Sequence, residues 1–268
     1  MIKLKVVCIG EGMAFCLERL EKKYSSHVSF TLIDTDVKSL MQRNISNKLL
    51  IGGNTFFGLG SCANASSVTN SLDLDIDNIR ASLKGADVVV VISALGGGTG
   101  SGAVNALVLA ARSVGANVIT FVSKPVKLYG NRSVERAELA IEQLKKNSDQ
   151  LLVLDNNIIV EIERKGWDIQ QKILLRRLNT IYYVICSKII KVIIKDALMM
   201  KYRTISSLYL WVWLGKYVDR LIQQKNNRVL TTINRQGTGF TLHKNDIITK
   251  WPPKDYEKMI PPWLVPVR

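Results

Sequence analysis

Six short apolar runs mark the first 155 residues, each 4–8 residues long and rich in Val, Ile and Leu. They are Ile2 to Ile9, Val28 to Ile33, Lys48 to Ile51, Asp87 to Ser93, Asn117 to Val122 and Gln150 to Leu154. Runs of this length and composition predict buried strands. Between them the spacing changes to the helical one, predicting helices from Met13 to about Lys23, a short one through Leu40, Leu74 to Leu83, Ala103 to Ser113 and Arg136 to Leu144. Strands alternating with helices argue an α/β chain with a Rossmann-like, mostly parallel sheet covered on both faces.

The pattern then lengthens. From Trp167 to about Ile194 there is no Pro or Gly, and Ile173, Leu174, Leu178, Ile181, Tyr182, Ile185, Ile189, Val192 and Ile193 recur at helical spacing. This predicts one long helix. Two further strands are expected near Arg228 to Ile233 and Gly237 to Leu242, and Pro252-Pro253 and Pro261 to Pro266 mark an extended tail. The expected division is a nucleotide-binding domain over 1–165, a central helix over 166–196 and a short basic, aromatic C-terminal region over 197–268.

Candidate chemistry is concentrated after the fourth strand. There Ala94-Leu95-Gly96-Gly97-Gly98-Thr99-Gly100-Ser101-Gly102 places five glycines and two hydroxyls between a strand and a helix. Without Cβ atoms the backbone amides can approach an anion closely, and the helix start adds roughly half a positive charge. A phosphate site is expected. A GxG of the same type, Gly10-Glu11-Gly12, follows the first strand, and a small-residue loop, Gly58 to Ala65, follows the third. The second strand ends in Asp34-Thr35-Asp36, a position where an acidic residue in Rossmann-like sheets meets a ribose or caps a helix.

Composition changes this picture at one end of the chain. The net charge is +15, and the first 150 residues carry 17 basic and 13 acidic side chains, leaving 20 and 9 for the remainder. An anionic partner, membrane lipid or nucleic acid, would be met in the C-terminal part. There Ser206 to Val218 combines Trp211, Trp213, Tyr209 and Tyr217 with Leu and flanking Lys, the composition of an interfacial segment. No run reaches the roughly 18 apolar residues of a membrane span. Nor does a signal peptide open the chain, so a cytoplasmic protein, peripheral at most at the inner membrane face, is expected. Cys8, Cys16, Cys62 and Cys186 are widely spaced beside only two histidines, which fits buried thiols in a reducing compartment rather than a zinc site.

Gly96 to Gly102 reads GGGTGSG, and this stretch resembles the GGGTG[ST]G signature of the tubulin/FtsZ family without a mismatch. Weaker likenesses appear in the family's order. Thr35, Asp36 and Leu40 match its Asn-Thr-Asp segment, Gly58-Leu59-Gly60-Ser61-Cys62-Ala63-Asn64-Ala65 is similar to GLGAGANP, and Lys124 to Arg132 is similar to its ribose loop. The resemblance implies GTP or GDP as ligand, optionally with Mg. On it the site residues would be Gly10, Glu11, Gly12, Thr35, Asp36, Gly58, Gly60, Ala63, Asn64, Gly96, Gly97, Gly98, Thr99, Gly100, Ser101, Gly102, Tyr129, Arg132 and Asn179. No catalytic residue and no protein-held metal are assigned.

The chain also departs from the family. No Asn follows the first glycine turn, where Phe15 and Cys16 stand; Tyr129 replaces a ribose-binding Glu; Ser133 takes an Arg position; and Leu175 falls near an aromatic one. The family's activating acidic loop corresponds to Leu198 to Ile205, where Lys201 and Arg203 stand in place of carboxylates. A cation cannot orient water for in-line attack as a carboxylate does, so little autonomous hydrolysis is expected. The functions implied are a filament-forming cytoskeletal protein for division or membrane remodelling, self-associating or in a mixed filament with a homologous subunit. The competing readings are a nicotinamide-dependent Rossmann enzyme and a nucleotide-free binding relic.

Overall fold

The computed structural model describes residues 2–157, 171–199, 230–234 and 239–241. The chain alternates as its apolar runs require: β1 (Leu4–Ile9), α1 (Ala14–Tyr24), β2 (Val28–Asp34), α2 (Val37–Gln42), β3 (Asn47–Leu50), the short α3 (Gly53–Phe56) and α4 (Ala65–Ser71), then α5 (Ile76–Leu83). Next come β4 (Val88–Ala94), α6 (Gly98–Ser113), β5 (Asn117–Lys124), α7 (Asn131–Asn147), β6 (Gln150–Asp155) and the long α8 (Gln171–Met199). Two strands follow, β7 (Leu230–Asn234) and β8 (Gly239–Thr241).

All strands lie in one sheet of order β3-β2-β1-β4-β5-β6-β7-β8. The first six are parallel, with Val7 opposite Thr31 on one side and Val91 on the other. β7 and β8 extend the sheet antiparallel beyond β6, with Leu152 opposite Thr232.

Side chains alternate across the pleat, and each face has its own core. Val6, Cys8, Phe30, Leu32, Val90, Ile92 and Phe121 pack on one face against α1 and α8, through Leu17, Leu20, Tyr182, Ile185 and Ile189. Val7, Ile9, Ile33, Val89, Val91 and Val122 pack on the other against α5, α6 and α7, through Leu83, Val104, Leu107, Ala111 and Leu144. A sheet buried on both faces needs near-continuous apolar strands, which is why the run Val88 to Ile92 carries no polar residue.

Two helices are longer than the pattern indicates. α6 begins at Gly98 rather than Ala103, because the glycines themselves form its first turn. α7 begins at Asn131 and runs to Asn147, beyond the expected Arg136 to Leu144. Of the cysteines, Cys8, Cys16 and Cys186 are buried as expected, whereas Cys62 is exposed in a loop. The stretch Ser206 to Val218, the proline tail and the Leu198 to Ile205 segment beyond Met199 lie outside the described residues. Among the described residues no helix is long and apolar enough to cross a membrane.

Candidate functional site

The sheet's topology locates the site. β1 pairs with β2 on one side and β4 on the other, so the chain winds outward in both directions from this pair, and a crevice opens at their C-terminal ends. Ser93 Oγ donates to the Ile9 carbonyl at 3.0 Å across the two strands just before they diverge.

The two glycine turns meet in this crevice. Gly10 leaves β1 at φ +76°, its amide donating to the Ile33 carbonyl at 2.9 Å. A Cβ on Gly12 would stand 2.5 Å from Ala94 Cβ, and one on Gly100 would stand 2.5 Å from the Ala94 carbonyl oxygen. The β1 turn and the start of α6 therefore lie backbone against backbone. On the far side, a Cβ on Gly98 would sit 2.3 Å from Ser61 Oγ and 2.8 Å from the Asn64 amide, and one on Gly102 would sit 2.4 Å from the Ala65 carbonyl. Only a chain of bare backbone lets three loops converge so closely. Gly97 is different: a Cβ there meets nothing within 4 Å. It is the N-cap of the 16-residue α6 and carries no side-chain cap. The amides of the first turn are the unsatisfied donors that bind anions.

A hydroxyl network ties the loops together. Thr99 Oγ1 lies 2.7 Å from Thr35 Oγ1 and 3.3 Å from Ser61 Oγ, and all three side chains are buried. Ser101 Oγ accepts from the Gly96 amide at 2.8 Å. The Gly96 carbonyl accepts from Arg136 Nε at 2.8 Å and Ser133 Oγ at 3.3 Å. Beside this network burial pushes the Asp34 carboxyl above its usual range, opposed by hydrogen bonds from the Thr35 and Asp36 amides and the Thr99 hydroxyl.

The Gly58 to Ala65 loop closes the other wall. Gly60 donates to the Thr35 carbonyl at 3.2 Å and the Gly58 carbonyl accepts from Val37 at 2.9 Å. Cys62 and Ala63 both take positive φ, 47° and 62°, where a side chain costs about 1–2 kcal/mol. Asn64 caps α4, accepting from Ser67 at 3.0 Å, and Asp36 caps α2, accepting from Lys38 at 2.7 Å.

Thus Gly10, Gly12, Thr35, Gly58, Gly60, Ala63, Asn64 and Gly96 to Gly102 are brought to one crevice. Glu11 has a different set of partners, accepting from Arg43 at 2.8 Å and Ser39 at 3.2 Å, which pins the β1 turn to α2. Tyr129 is exposed in a 3-10 turn, Arg132 is exposed in the first turn of α7, and Asn179 is half-buried on α8. Among the described residues these three make no side-chain hydrogen bond to the cradle. Four participants lay outside the expected set: Ser61, Ser93, Ser133 and Arg136. Ser61 lies inside a small-residue loop and was open to suspicion. Ser133 stands where the family resemblance places an Arg, and Arg136, like Arg132, could replace that cation; nothing local distinguishes Ser93, and the partners of Ser93, Ser133 and Arg136 are 84, 37 and 40 positions away.

Sheet order and crevice define a doubly wound α/β domain whose switch point holds an uncapped helix start. A family description, Tubulin/FtsZ family, GTPase domain, matches residues 8–164. The chain belongs to that family. It is similar to the cell division protein FtsZ of Wigglesworthia glossinidia brevipalpis, 32% identical over 163 residues, 61% of this chain and 42% of that protein. It is also similar to FtsZ of Aquifex aeolicus, 31% identical over 61% of this chain and 44% of the relative. The chain thus spans less than half the length of these relatives. Among solved structures, an empty FtsZ dimer of M. jannaschii superposes with a TM-score of 0.68 at 23% identity, covering 72% of this chain and 55% of that one. A GTPγS-bound CetZ2 protofilament of Haloferax volcanii gives 0.56 at 18% identity, covering 68% and 58%.

Proposed function

We propose that the crevice binds GTP or GDP and that the chain assembles through this face into filaments, alone or mixed with a homologous subunit, with weak or partner-dependent hydrolysis. The observation that carries the reading is the α6 start, where Gly98 and Gly100 leave no room for a Cβ, so that neighbouring loops close on the helix, while Gly97 faces open space. The amides of Gly97 to Gly100 and the Thr99 hydroxyl would hold the phosphates, with Gly60 to Asn64 over the terminal one. The nucleotide brings the phosphoanhydride bond; this chain supplies donors, orientation and shelter from water. A Mg ion would be held chiefly by phosphate and water, as this cation commonly is.

Assembly at this face is supported by apolar side chains along its rim. Phe57 and Leu59 are each 80% exposed and Met41 77%, all on segments joined to the Asp36 and Gly58 loops. Large apolar side chains gathered in water mark interaction surfaces. The FtsZ dimer and CetZ2 protofilament among the structural neighbours point the same way. Weak hydrolysis is supported by Lys201 and Arg203, and attachment to an anionic membrane by the basic, aromatic stretch after Ser206.

A nicotinamide dinucleotide fits less well. Asp34, placed where a ribose would be met, is buried and its carboxylate already accepts the Thr35 amide at 2.7 Å. Sedimentation of the full chain with and without GTP, alone and with anionic vesicles, tests the assembly reading. GTP-dependent pelleting is expected; its absence under both conditions would sink it.

A further inference from the structure

Asp34 is a buried acid without a cation. It stands at the C-terminal end of β2, 4% exposed, and among the described residues it forms no ion pair. Its carboxylate accepts from the Thr35 amide at 2.7 Å, and the Asp36 amide and the Thr99 hydroxyl also face it. Taking a charge out of water is costly unless hydrogen bonds and a counter-charge replace the solvent, and here only hydrogen bonds do.

The ionisable groups around it do not supply that counter-charge. Asp36, two positions on, adds a second negative one. The Cys8 thiol on β1 stays neutral, since burial pushes it well above the usual thiol range. Arg43, just past α2, pairs with Glu11 at 2.8 Å and lies 3.8 Å from Glu18, and Lys38 on α2 is exposed. Leu50 is opposite Asp34 in β3, and neither the first turn of α6 nor the Gly58 to Ala65 loop carries a charged side chain; Cys62 of that loop is exposed.

This acid adjoins the crevice with the uncapped helix start. Thr99, the second residue of α6, has its hydroxyl 2.7 Å from that of Thr35 and 3.3 Å from that of Ser61. One hydroxyl thus separates the Asp34 carboxyl from the amides that would meet an anion. Two negative charges so placed, away from bulk water, repel strongly.

We propose that an anion entering this crevice brings a proton from solvent onto the Asp34 carboxyl, so that nucleoside triphosphate binding is linked to proton uptake by the protein. The inference rests on the nucleotide-binding reading above and adds its regulation. The Thr99 hydroxyl has one hydrogen to give. While Asp34 is ionised that hydrogen serves the carboxylate; once Asp34 is protonated the carboxyl donates to Thr99, and the Thr99 hydrogen turns to the ligand. Burial already lifts this carboxyl above its usual range in the unliganded chain, and the anion lifts it further. The sign follows from linkage: a ligand that tightens proton binding is itself held more tightly where the proton is present, so affinity falls as pH rises through the titration of Asp34.

The test is calorimetric titration of the full chain with GTP at pH 6, in two buffers of different ionisation enthalpy, beside Asp34→Asn. Protons taken up by the GTP phosphates are common to both proteins, so the difference reports Asp34. The parent is expected to take up more protons than the variant, and its affinity relative to the variant's to fall at least about threefold from pH 5 to pH 7.5. A midpoint raised by half a pH unit gives about threefold and by one unit about tenfold. Equal proton uptake, or pH profiles that run parallel, would overturn the inference. Should Asp34→Asn not fold, carbon-13 NMR of the aspartate-labelled parent reads the same event. The Asp34 carboxyl midpoint should rise when GTP is added, and a midpoint unmoved or lowered would overturn the inference equally. If the parent binds no GTP at any of these pH values, the nucleotide reading itself fails, and this one with it.

Discussion

The glycines of the α6 start are not equivalent, and their differences can be measured. Gly100 faces the Ala94 carbonyl at 2.5 Å, a backbone atom that cannot swing away, so Gly100→Ala should cost about 1–3 kcal/mol. Gly97 faces open space at φ −82°, so Gly97→Ala should stay within about 0.5 kcal/mol of the parent. Thermal denaturation separates the two, and equal midpoints would contradict the packing described. Asp34 offers a second test. Burial raises its carboxyl pKa in the folded chain, so between the ordinary aspartate value and the raised one the folded state holds more protons than the unfolded state. Stability from this group therefore falls as pH rises through that window. Asp34→Asn keeps an acceptor for the Thr35 amide and removes the charge. Its melting temperature should exceed the parent's by more at pH 7.5 than at pH 4; a gain equal at both values, or larger in acid, would refute the assignment.

Side chains of α1 and α8 pack together on one face of the sheet, and the Tyr24 hydroxyl, 2.6 Å from that of Ser187, ties the two helices to each other. Tyr24→Phe would leave Ser187 Oγ buried without that partner, at a cost of about 1 kcal/mol, while the pair Tyr24→Phe with Ser187→Ala should recover most of it. Additive losses in the double variant would show that the two hydroxyls do not act together. The elements themselves were largely legible: β4 is an unbroken apolar run from Val88 to Ile92, β5 one broken only by Thr120 between Val118 and Val122, and α8 follows the spacing of Leu178, Tyr182, Ile185 and Ile189. The start of α6 was not. Glycine is a poor helix former, so propensity hides a first turn that exists because three loops leave no room for side chains. Nor was the place of β7 and β8 beside β6 visible, because strand pairing is a long-range choice that local pattern does not carry. The contacts of Glu11 belong to the same class, since Arg43 and Ser39 lie 32 and 28 positions from it.

The crevice is assembled from segments distant along the chain, Gly10 to Gly12, Thr35, Gly58 to Asn64 and Gly96 to Gly102, held by two cores on opposite faces of one sheet. A ligand bound across them must stabilise their folded arrangement by RT ln(1 + [L]/Kd), about 2.7 kcal/mol at a hundredfold excess over Kd. A GTP titration of the full chain beside Gly98→Ala reads this most directly, with circular dichroism to verify that the variant is folded. A Cβ at Gly98 falls 2.3 Å from Ser61 Oγ and 2.8 Å from the Asn64 amide, so it would push the Ser61 to Asn64 loop off the α6 start. The parent should bind one GTP saturably, and the folded variant at least about tenfold more weakly, a difference of about 1.4 kcal/mol. No binding by the parent up to about 1 mM GTP, where affinity is worth only about 4 kcal/mol, or undiminished binding by the variant, would contradict the assignment of this crevice.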